Sequence, residues 1–326
     1  MNLLSKNLYN LCNYLNIPYS SSDLIPHISD FIGKDIFNIL NKRINLKILW
    51  NQKNKINISD LQFSFKYKIT EQNLKFLKLK LSIEDSFVIN PDINKIRSSI
   101  IDDYLIILEY SSNNNIKIHA LISKEEQPLI YSSLDTKNLD VITDLLPLDV
   151  YTVLNSDLNY LYDKMQSLSY HFSTRKVKEI SKFNIVTACN YAEKFALIFN
   201  PEYISYEKNG GDCTNFASQI VHAGGIKKTK AWTPYSNAWL RVGELYSYLI
   251  NTRAGFTLPS DNELDRGTLI QFKTPKLGRF FHTGFITHRL SNGECLYCCH
   301  TYNKLNYPLS LIYPILYPEM RGLWFF

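Results

Sequence analysis

The chain lacks any apolar segment of the roughly 18 residues that a membrane-spanning helix requires. Its first stretch, Met1–Leu8, interrupts the apolar residues with Asn and Lys, which favours an amphipathic helix over a secretory signal peptide. We therefore expect a cytoplasmic protein with no membrane partner. Export without a signal peptide, or delivery by another route, is the alternative that the sequence leaves open.

The chain also lacks the cysteine spacing of a disulfide framework, although it has six cysteines. Such a set is typical of free thiols in a reducing compartment. One group stands close together near the C-terminus, but an alternating strand divides it between two faces, unlike the paired ligands of a zinc site. We therefore expect no metal and no cofactor; the residues of this group are Cys295, Cys298, Cys299 and His300.

Strong positive charge is absent as well. The net charge is +6 in 326 residues, and the two short basic clusters, at 175–178 and 227–230, carry no interleaved aromatic residues. Such clusters are usually solvated surfaces, so we expect no nucleic-acid partner. A weak attraction to an acidic polymer, such as a bacterial cell wall, stays open, and the sequence does not indicate an oligomeric state.

The sequence does contain enough chain for two domains, at 38.0 kDa with 45% hydrophobic residues. Residues 1–43 show helical spacing. Strands predominate over residues 46–131, as in the alternating Asp60–Lys68, and helical spacing returns at Leu154–Leu168. We predict an α+β accessory domain over residues 1–170, with helices on one face of an antiparallel sheet. It contains no recognisable catalytic cluster, so its role is not indicated.

A basic link at 173–176 leads into a second predicted domain, residues 175–326. Two helices are expected first, from Ile185 to Phe199 and from Cys213 to Ala223, the second closed by two glycines. Helices followed by an antiparallel sheet again predict the α+β class. The strand candidates, of which the last two are joined by a hairpin turn, are Thr268–Phe272, His282–His288 and Glu294–His300.

The stretch Asn209–Phe216 leads into the second of these helices. Asp212 stands at the N-cap position, so Cys213 lies in the first turn, where the helix dipole and the unpaired amides favour a thiolate. Gly210 and Gly211 let the backbone turn sharply ahead of the sulfur. The pattern indicates a reactive cysteine, and a buried core cysteine is the alternative.

A base for Cys213 is expected on the later strands. His282 opens one strand next to Gly284, which leaves space beside it, while His288 lies at the far end and is expected to face solvent. His300 ends the returning strand and therefore comes back near His282. A cysteine on a helix, a histidine on a later strand and a polar residue on the next strand form a nucleophile, a base and an orienting group.

These segments resemble the bacterial family called the putative amidase domain, over about residues 175–326. The resemblance implies a papain-like α+β fold, related to cell-wall hydrolases of the NlpC and CHAP type, and cleavage of amide bonds through a thioester. The residues that carry it are Glu193–Ala196, Asn200–Tyr203, Gly210–Gln219, His222–Gly225, Leu269–Phe272, His282–Thr287, His300-Thr301 and Asn306–Leu309.

The resemblance also implies roles for individual residues. Cys213 is the nucleophile and His282 the base; His300 takes the third, polar place, with Asn303 as the substitute candidate. The backbone amide of Cys213, at the start of a helix, is a natural donor to an oxyanion. Further candidates for the oxyanion site or the substrate cleft are Tyr203, Tyr206 and Asp212.

We therefore expect a thiol-dependent hydrolase that cleaves amide bonds in a peptide or a peptidoglycan-like substrate. A thiol acyltransferase with the same dyad is one alternative, since only the acceptor differs. A catalytically silent binding module on a hydrolase-like fold is the other.

Overall fold

The computed structural model describes residues 3–19, 28, 30–89, 95–110, 115–143, 183–273 and 277–326. It divides into two compact units, the first comprising Met1–Asn90 and Ile101–Leu168, the second Pro91–Ile100 and Ser169–Phe326. The helix predicted at Leu154–Leu168 and the link at 173–176 lie outside the described residues. The domain boundary between residues 170 and 175 therefore stays a prediction.

The first unit combines helices with an antiparallel sheet in which the strands follow the order β1-β2-β3, with β4 paired to β3. Residues Ile96–Ile100 of β3 belong to the second unit. The helices described here are α1 (Leu3–Leu15), α2 (Lys34–Lys53), α3 (Pro128–Asp135) and α4 (Leu139–Thr143), and the strands are β1 (Ile58–Gln72), β2 (Phe76–Ile89), β3 (Ile96–Tyr110) and β4 (Ile116–Ser123).

Helices cover both faces of this sheet, so the prediction of one covered face is wrong. Ile106 and Leu108 of β3 join the core that α1 and α2 form, while Leu105 and Ile107 pack with α3 and α4. The cause is that these four consecutive residues are all apolar, so both faces of the strand are apolar and neither is suited to exposure to solvent. Burying each large apolar side chain contributes about 1.5–3 kcal/mol, which favours a second helical layer.

Helix α2 extends further than the sequence predicted. Residues 46–53, expected among the strands, form its last two turns. Leu46 and Trp50 are both buried and continue the four-residue spacing of the helix, so tertiary packing decides the end of this element. The alternating stretch Asp60–Lys68 lies within β1, which confirms the strand predicted there.

The second unit begins with helices and ends in an antiparallel sheet in the order β9-β8-β7-β6-β10-β5. Ser99 and Ile100 pair with β9 at its edge. The helices are α5 (Ile185–Phe195), α6 (Cys213–Ala223), α7 (Asn237–Leu240) and α8 (Val242–Asn251), and the strands are β5 (Gly255–Thr257), β6 (Leu269–Lys273), β7 (Phe280–Arg289), β8 (Cys295–Cys299), β9 (Lys304–Pro308) and β10 (Glu319–Phe325).

The three predicted strands of the second unit are present as β6, β7 and β8, and the helices predicted around Ile185 and Cys213 are α5 and α6. Strands β5, β9 and β10 were not predicted. Strand β10 carries Glu319, Arg321 and Gly322, which weaken the alternation that marks a strand, and it becomes one by pairing with β6 and β5. The α+β class with a large antiparallel sheet is confirmed.

No helix in the described part of the chain has the length and apolar character needed to cross a bilayer.

Candidate active site

Helix α6 lies in the second core and is buried on all sides from Cys213 to Val221. Its polar residues are tolerated inside because they have hydrogen-bond partners. Asn215 Oδ1 accepts the Trp239 indole N–H at 2.8 Å, and Ser218 Oγ accepts the Trp232 indole N–H at 3.2 Å. These bonds fix the helix that presents Cys213.

Asp212 precedes α6 at the N-cap position, as predicted, but its side chain does not cap the helix. Instead Oδ1 accepts the backbone N–H of Tyr206 at 2.7 Å and the amide of Asn215 at 2.9 Å. Oδ2 lies 2.7 Å from Nδ1 of His300. The buried carboxylate therefore ties together the loop before Cys213, the helix itself and the chain after β8.

The helix N-terminus is capped by Thr301 instead. Its Oγ1 accepts the backbone N–H of Asp212 at 2.7 Å and that of Cys213 at 3.1 Å. The Cys213 amide, which the sequence suggested as a free oxyanion donor, is thus engaged by a side chain. Sequence reasoning did not assign Thr301 a role, because only the fold brings it to residues some 88 positions earlier.

The two glycines before Cys213 both have backbone conformations that favour glycine, with φ +97° at Gly210 and +104° at Gly211. A Cβ at Gly211 would also lie 2.9 Å from Thr301 Oγ1. The predicted sharp turn is therefore present. At Gly211 the missing side chain makes room for the Thr301 hydroxyl.

The Cys213 side chain is 8% exposed. Burial raises the pKa of its thiol above the ordinary value, while contacts with the Thr214 hydroxyl and with the backbone of Thr283 act in the opposite direction. The thiol therefore lies beside the residue that follows His282. Thr214 and Thr283 also approach each other, with 3.4 Å between their hydroxyl oxygens.

His282, on β7, is 1% exposed and lies among aromatic rings. Its ring centre is 5.7 Å from that of Phe272 and 5.2 Å from that of Tyr302. Burial, together with the positive charge of Lys304, lowers the pKa of His282 to about 3. Burial thus favours the uncharged forms of both the thiol and the imidazole, and no hydrogen bond joins the two side chains among the described residues. The thiolate expected from the sequence stays a prediction.

The depressed pKa of His282 predicts a pH dependence of stability. In the unfolded chain His282 is protonated below its ordinary pKa of about 6.5, whereas in the folded protein it stays neutral down to about pH 3. Acid therefore favours the unfolded state, which binds the additional proton. We expect this group to remove about 1.4 kcal/mol of unfolding free energy per pH unit as the pH falls from 6 to 4.

The check is urea unfolding of the wild type and of His282→Asn at each pH. The difference between the two free energies isolates the histidine, because Glu294, whose pKa burial raises to about 7, and the other acids are present in both. A difference that does not change with pH would show that His282 is protonated in the folded protein.

His300, predicted to end the returning strand, comes directly after β8, and its contacts are with residues other than His282. Nδ1 is bonded to Asp212, and Nε2 lies 2.7 Å from the backbone oxygen of Phe195. The ring stacks on Phe216, with 3.8 Å between centres and 6° between planes. Both ring nitrogens therefore have partners other than the predicted base, and the third catalytic place of His300 stays a prediction without a contact to support it.

Asn303 has a different environment. Its Oδ1 and the Nε2 of His282 are both buried and have no hydrogen-bond partner among the described residues. Asn303 stands between Tyr302, whose ring faces His282, and Lys304, whose charge acts on His282. An amide oxygen and an imidazole N–H are complementary hydrogen-bonding groups, and the role of Asn303 as the substitute candidate stays a prediction.

Two details around β7 differ from expectation. The space predicted beside Gly284 is filled, because a Cβ there would lie 2.8 Å from the ring of Tyr297. His288, expected to face solvent, is 28% exposed and its Nε2 lies 2.5 Å from Glu193 Oε1. An irregularity in the pairing of β7 with β8 between Ile286 and His288 shifts the strand there, which the alternation of the sequence does not reveal.

The tyrosines suggested for the cleft lie in the loop before α6. The ring of Tyr203 stacks on that of Trp239 at 6.0 Å, and the ring of Tyr206 lies 6.5 Å from that of Tyr235. No hydrogen bond joins either hydroxyl to Cys213 in the described part of the chain. Their part in the oxyanion site or the cleft stays a prediction, as does that of Asp212.

The cysteines near the C-terminus are buried, as are the other three, and none of the six forms a disulfide bond. Within the described residues, no group of three or more His, Cys, Asp or Glu side chains is placed to hold a metal ion.

Comparison with known proteins gives a family for the second half of the chain. Residues 182–319 match the family model described as "Putative amidase domain". The chain is 28% identical over 166 residues to the uncharacterized protein YjcM of Bacillus subtilis strain 168, which covers 46% of this chain and 40% of that protein. It is 30% identical over 136 residues to the uncharacterized protein YhbB of the same strain, covering 38% and 43%.

The chain thus spans less than half the length of these two relatives. No solved structure matches it. The family match includes α6 with Cys213, strand β7 with His282, and the segment that contains Thr301 and Asn303. The resemblance predicted from the motifs is confirmed by this match of residues 182–319 to the putative amidase family model, whose description indicates hydrolysis of amide bonds.

Proposed function

We propose that the second unit is a cysteine-dependent amidase in which Cys213 is the nucleophile and His282 the base. The observation that carries this proposal is the position of the Cys213 thiol, at the first residue of a buried helix and against the backbone of Thr283, next to His282. A plain core cysteine would not need a turn of two glycines with positive φ ahead of it. The family match over residues 182–319 supports the amide substrate.

The reaction follows from these groups. Cys213 Sγ attacks the carbonyl carbon of the amide while its proton passes to His282, and a tetrahedral intermediate forms. The C–N bond breaks as His282 returns the proton to the leaving amine, which leaves a thioester on Sγ. Water, deprotonated by His282, then attacks the thioester and releases the acid and the thiol.

Burial favours the uncharged pair in the resting site, so proton transfer accompanies the attack. The pKa of the thiol is raised and that of His282 is lowered, and an ion pair formed before the substrate arrives would be unfavourable. Charge that develops on the substrate oxygen compensates the imidazolium in the transition state. His282 therefore acts as a general base during attack.

For the third place we propose Asn303. It is supported by the unpartnered Asn303 Oδ1 and His282 Nε2, and by the engagement of both nitrogens of His300 elsewhere. As His282 takes up a proton on the nitrogen that faces the thiol, an Nε2–H bond to the amide oxygen of Asn303 would hold the ring and stabilise its charge.

We further propose that the unit is papain-like and that its substrate is a peptide or a peptidoglycan-like polymer. The order of nucleophile helix, base strand and following polar residue supports the fold. Exposed apolar side chains near the loop before α6, Ile204 and Tyr235, offer contact area to an extended chain. The activity of the whole protein, including the first unit, is part of the same proposal.

The test is acylation of the full chain with p-nitrophenyl acetate, followed by peptide mass spectrometry. We expect release of nitrophenolate and an acetyl group on Cys213, but none on Cys189, which is equally a helix cysteine of the second core and is fully buried. Release without an adduct on Cys213, or an adduct that also forms on Cys189, would contradict the nucleophile assignment.

A panel of amides then separates the alternatives. A hydrolase releases amine from peptides or from peptidoglycan fragments in water alone. An acyltransferase passes the acyl group to an added amine such as glycinamide and releases little free acid. A protein that binds the fragments but never acylates Cys213 is a binding module.

A further inference from the structure

We propose that the hydroxyl group of Thr301 is a further catalytic group of this site, which donates its hydrogen to the substrate carbonyl oxygen as negative charge develops there. The inference rests on the proposed function of Cys213. It assigns the oxyanion donor to a side chain for which neither the motifs nor the resemblance indicated a role.

The first argument is the place of the Thr301 oxygen. Oγ1 lies 3.1 Å from the backbone nitrogen of Cys213 and 2.7 Å from that of Asp212. An oxyanion held by the nucleophile's own amide would occupy a position about 2.7–3.1 Å from that nitrogen. The Thr301 hydroxyl therefore occupies the position in which the substrate carbonyl oxygen would bind if the Cys213 amide were its donor. The substrate oxygen then contacts the hydroxyl and not the amide.

The second argument is the direction of the hydroxyl hydrogen. A hydroxyl has one donor hydrogen and two acceptor lone pairs, and both contacts of Thr301 are acceptances from N–H groups. Its own hydrogen has no acceptor among the described residues. The tetrahedral oxygen directs that hydrogen away from the two amides, and the half-buried side chain remains open to a ligand.

The third argument is the charge at this oxygen. It accepts two backbone N–H groups at the positive end of α6, a helix of 11 residues. Hydrogen bonds in such a chain polarise each other, so an O–H whose oxygen already accepts two bonds becomes a stronger donor. The positive end of the α6 dipole thus strengthens the hydrogen bond that the Thr301 hydroxyl donates to the substrate oxygen.

The backbone conformation of Thr301 indicates that the position of this hydroxyl is not a result of side-chain packing alone. The residue has φ +78°, a region that β-branched side chains rarely adopt and that glycine or asparagine would occupy more easily. Gly211 also lacks a Cβ where one would lie 2.9 Å from the hydroxyl oxygen. Thr301 thus adopts an unfavourable backbone conformation, and Gly211 leaves space for its hydroxyl at the start of α6.

In the reaction step, the Sγ–C bond forms while the carbonyl π electrons move to oxygen, and the Thr301 O–H donates to that oxygen without losing its proton. The proton of the thiol passes to His282 as before. Collapse of the intermediate returns the electrons to the carbonyl, breaks the bond to the leaving group and releases the Thr301 hydrogen bond.

The test compares two reactions of Cys213 in the full-length wild type, Thr301→Val and Thr301→Ser. Acylation by p-nitrophenyl acetate develops an oxyanion, whereas alkylation by iodoacetamide displaces iodide and develops none. For Thr301→Val, which keeps the shape of the side chain, we expect acylation to slow by about 10²–10³-fold. Alkylation of Thr301→Val should stay within about threefold of the wild-type rate.

The control variant, Thr301→Ser, should retain most of the acylation rate. If the valine variant fails to fold, Thr301→Ala provides the same comparison.

Equal acylation rates in the valine variant and the wild type would overturn the proposal. A parallel loss of acylation and alkylation would also overturn it, since Thr301 would then only cap the helix. So would a serine variant as slow as the valine variant. Failure of the proposed function looks different: the wild type itself would be alkylated at Cys213 but not acylated there.

Discussion

Replacing Cys213 by alanine is expected to abolish nitrophenolate release and amide cleavage, with a loss of about 10⁴-fold or more. The nucleophile forms the covalent intermediate, so what remains without it is only the contribution of binding and of the oxyanion donors. The measurement is the rate of nitrophenolate release corrected for the uncatalysed reaction. Circular dichroism and the urea midpoint should show that Cys213→Ala folds, because the substitution removes one sulfur atom from a buried position.

The matched control for this prediction is Cys189→Ala. Cys189 is a buried cysteine on α5 in the same core, and its Sγ lies 3.9 Å from the backbone oxygen of Ile286. Its removal should lower stability slightly through the small cavity and leave the rate within about twofold. If both variants lost activity equally, the loss would reflect a damaged core, and Cys213 could no longer be called the nucleophile.

Replacing Asp212 by alanine is expected to destabilise the second unit by roughly 3–5 kcal/mol, since the substitution leaves buried polar groups without their partner. Asp212 and His300 are each 1% exposed. The variant would deprive the His300 ring, the Tyr206 amide and the Asn215 side chain of their acceptor. Acylation of Cys213 should fall as well, because the loop before the nucleophile loses its attachment.

The measurement is urea unfolding followed by tryptophan fluorescence, which reports mainly on the second unit. Three of the four tryptophans, Trp232, Trp239 and Trp324, lie in that unit. The control is Glu193→Ala, which breaks the pair with His288 at the other end of β7. Those side chains are 28–33% exposed, so we expect a loss of roughly 1 kcal/mol or less. Similar losses in the two variants would mean that the Asp212–His300 pair is not a buried support of the site.

Local patterns in the sequence determined a large part of this protein. The i, i+3, i+4 spacing after Asp212, closed by Gly224-Gly225, predicted α6 with its correct bounds. The alternation of Asp60–Lys68 predicted β1, in which exposed residues alternate with half-buried ones along the strand. The glycines at 210 and 211 predicted the turn that their positive φ values require. Spacing and motif therefore identified the candidate nucleophile and the family.

Only the tertiary structure decided which polar groups meet around Cys213. Asp212 bonds to His300 and Thr301 caps α6 because β8 returns beside the helix, and neither contact is encoded in local spacing. Both ring nitrogens of His300 therefore have partners other than His282, and it is the ring of Tyr302 that lies 5.2 Å from that of His282. Periodicity reports which residues are buried within one element. The charge states and partners of Cys213 and His282 depend on burial by residues far away in the chain, so they follow from the fold alone.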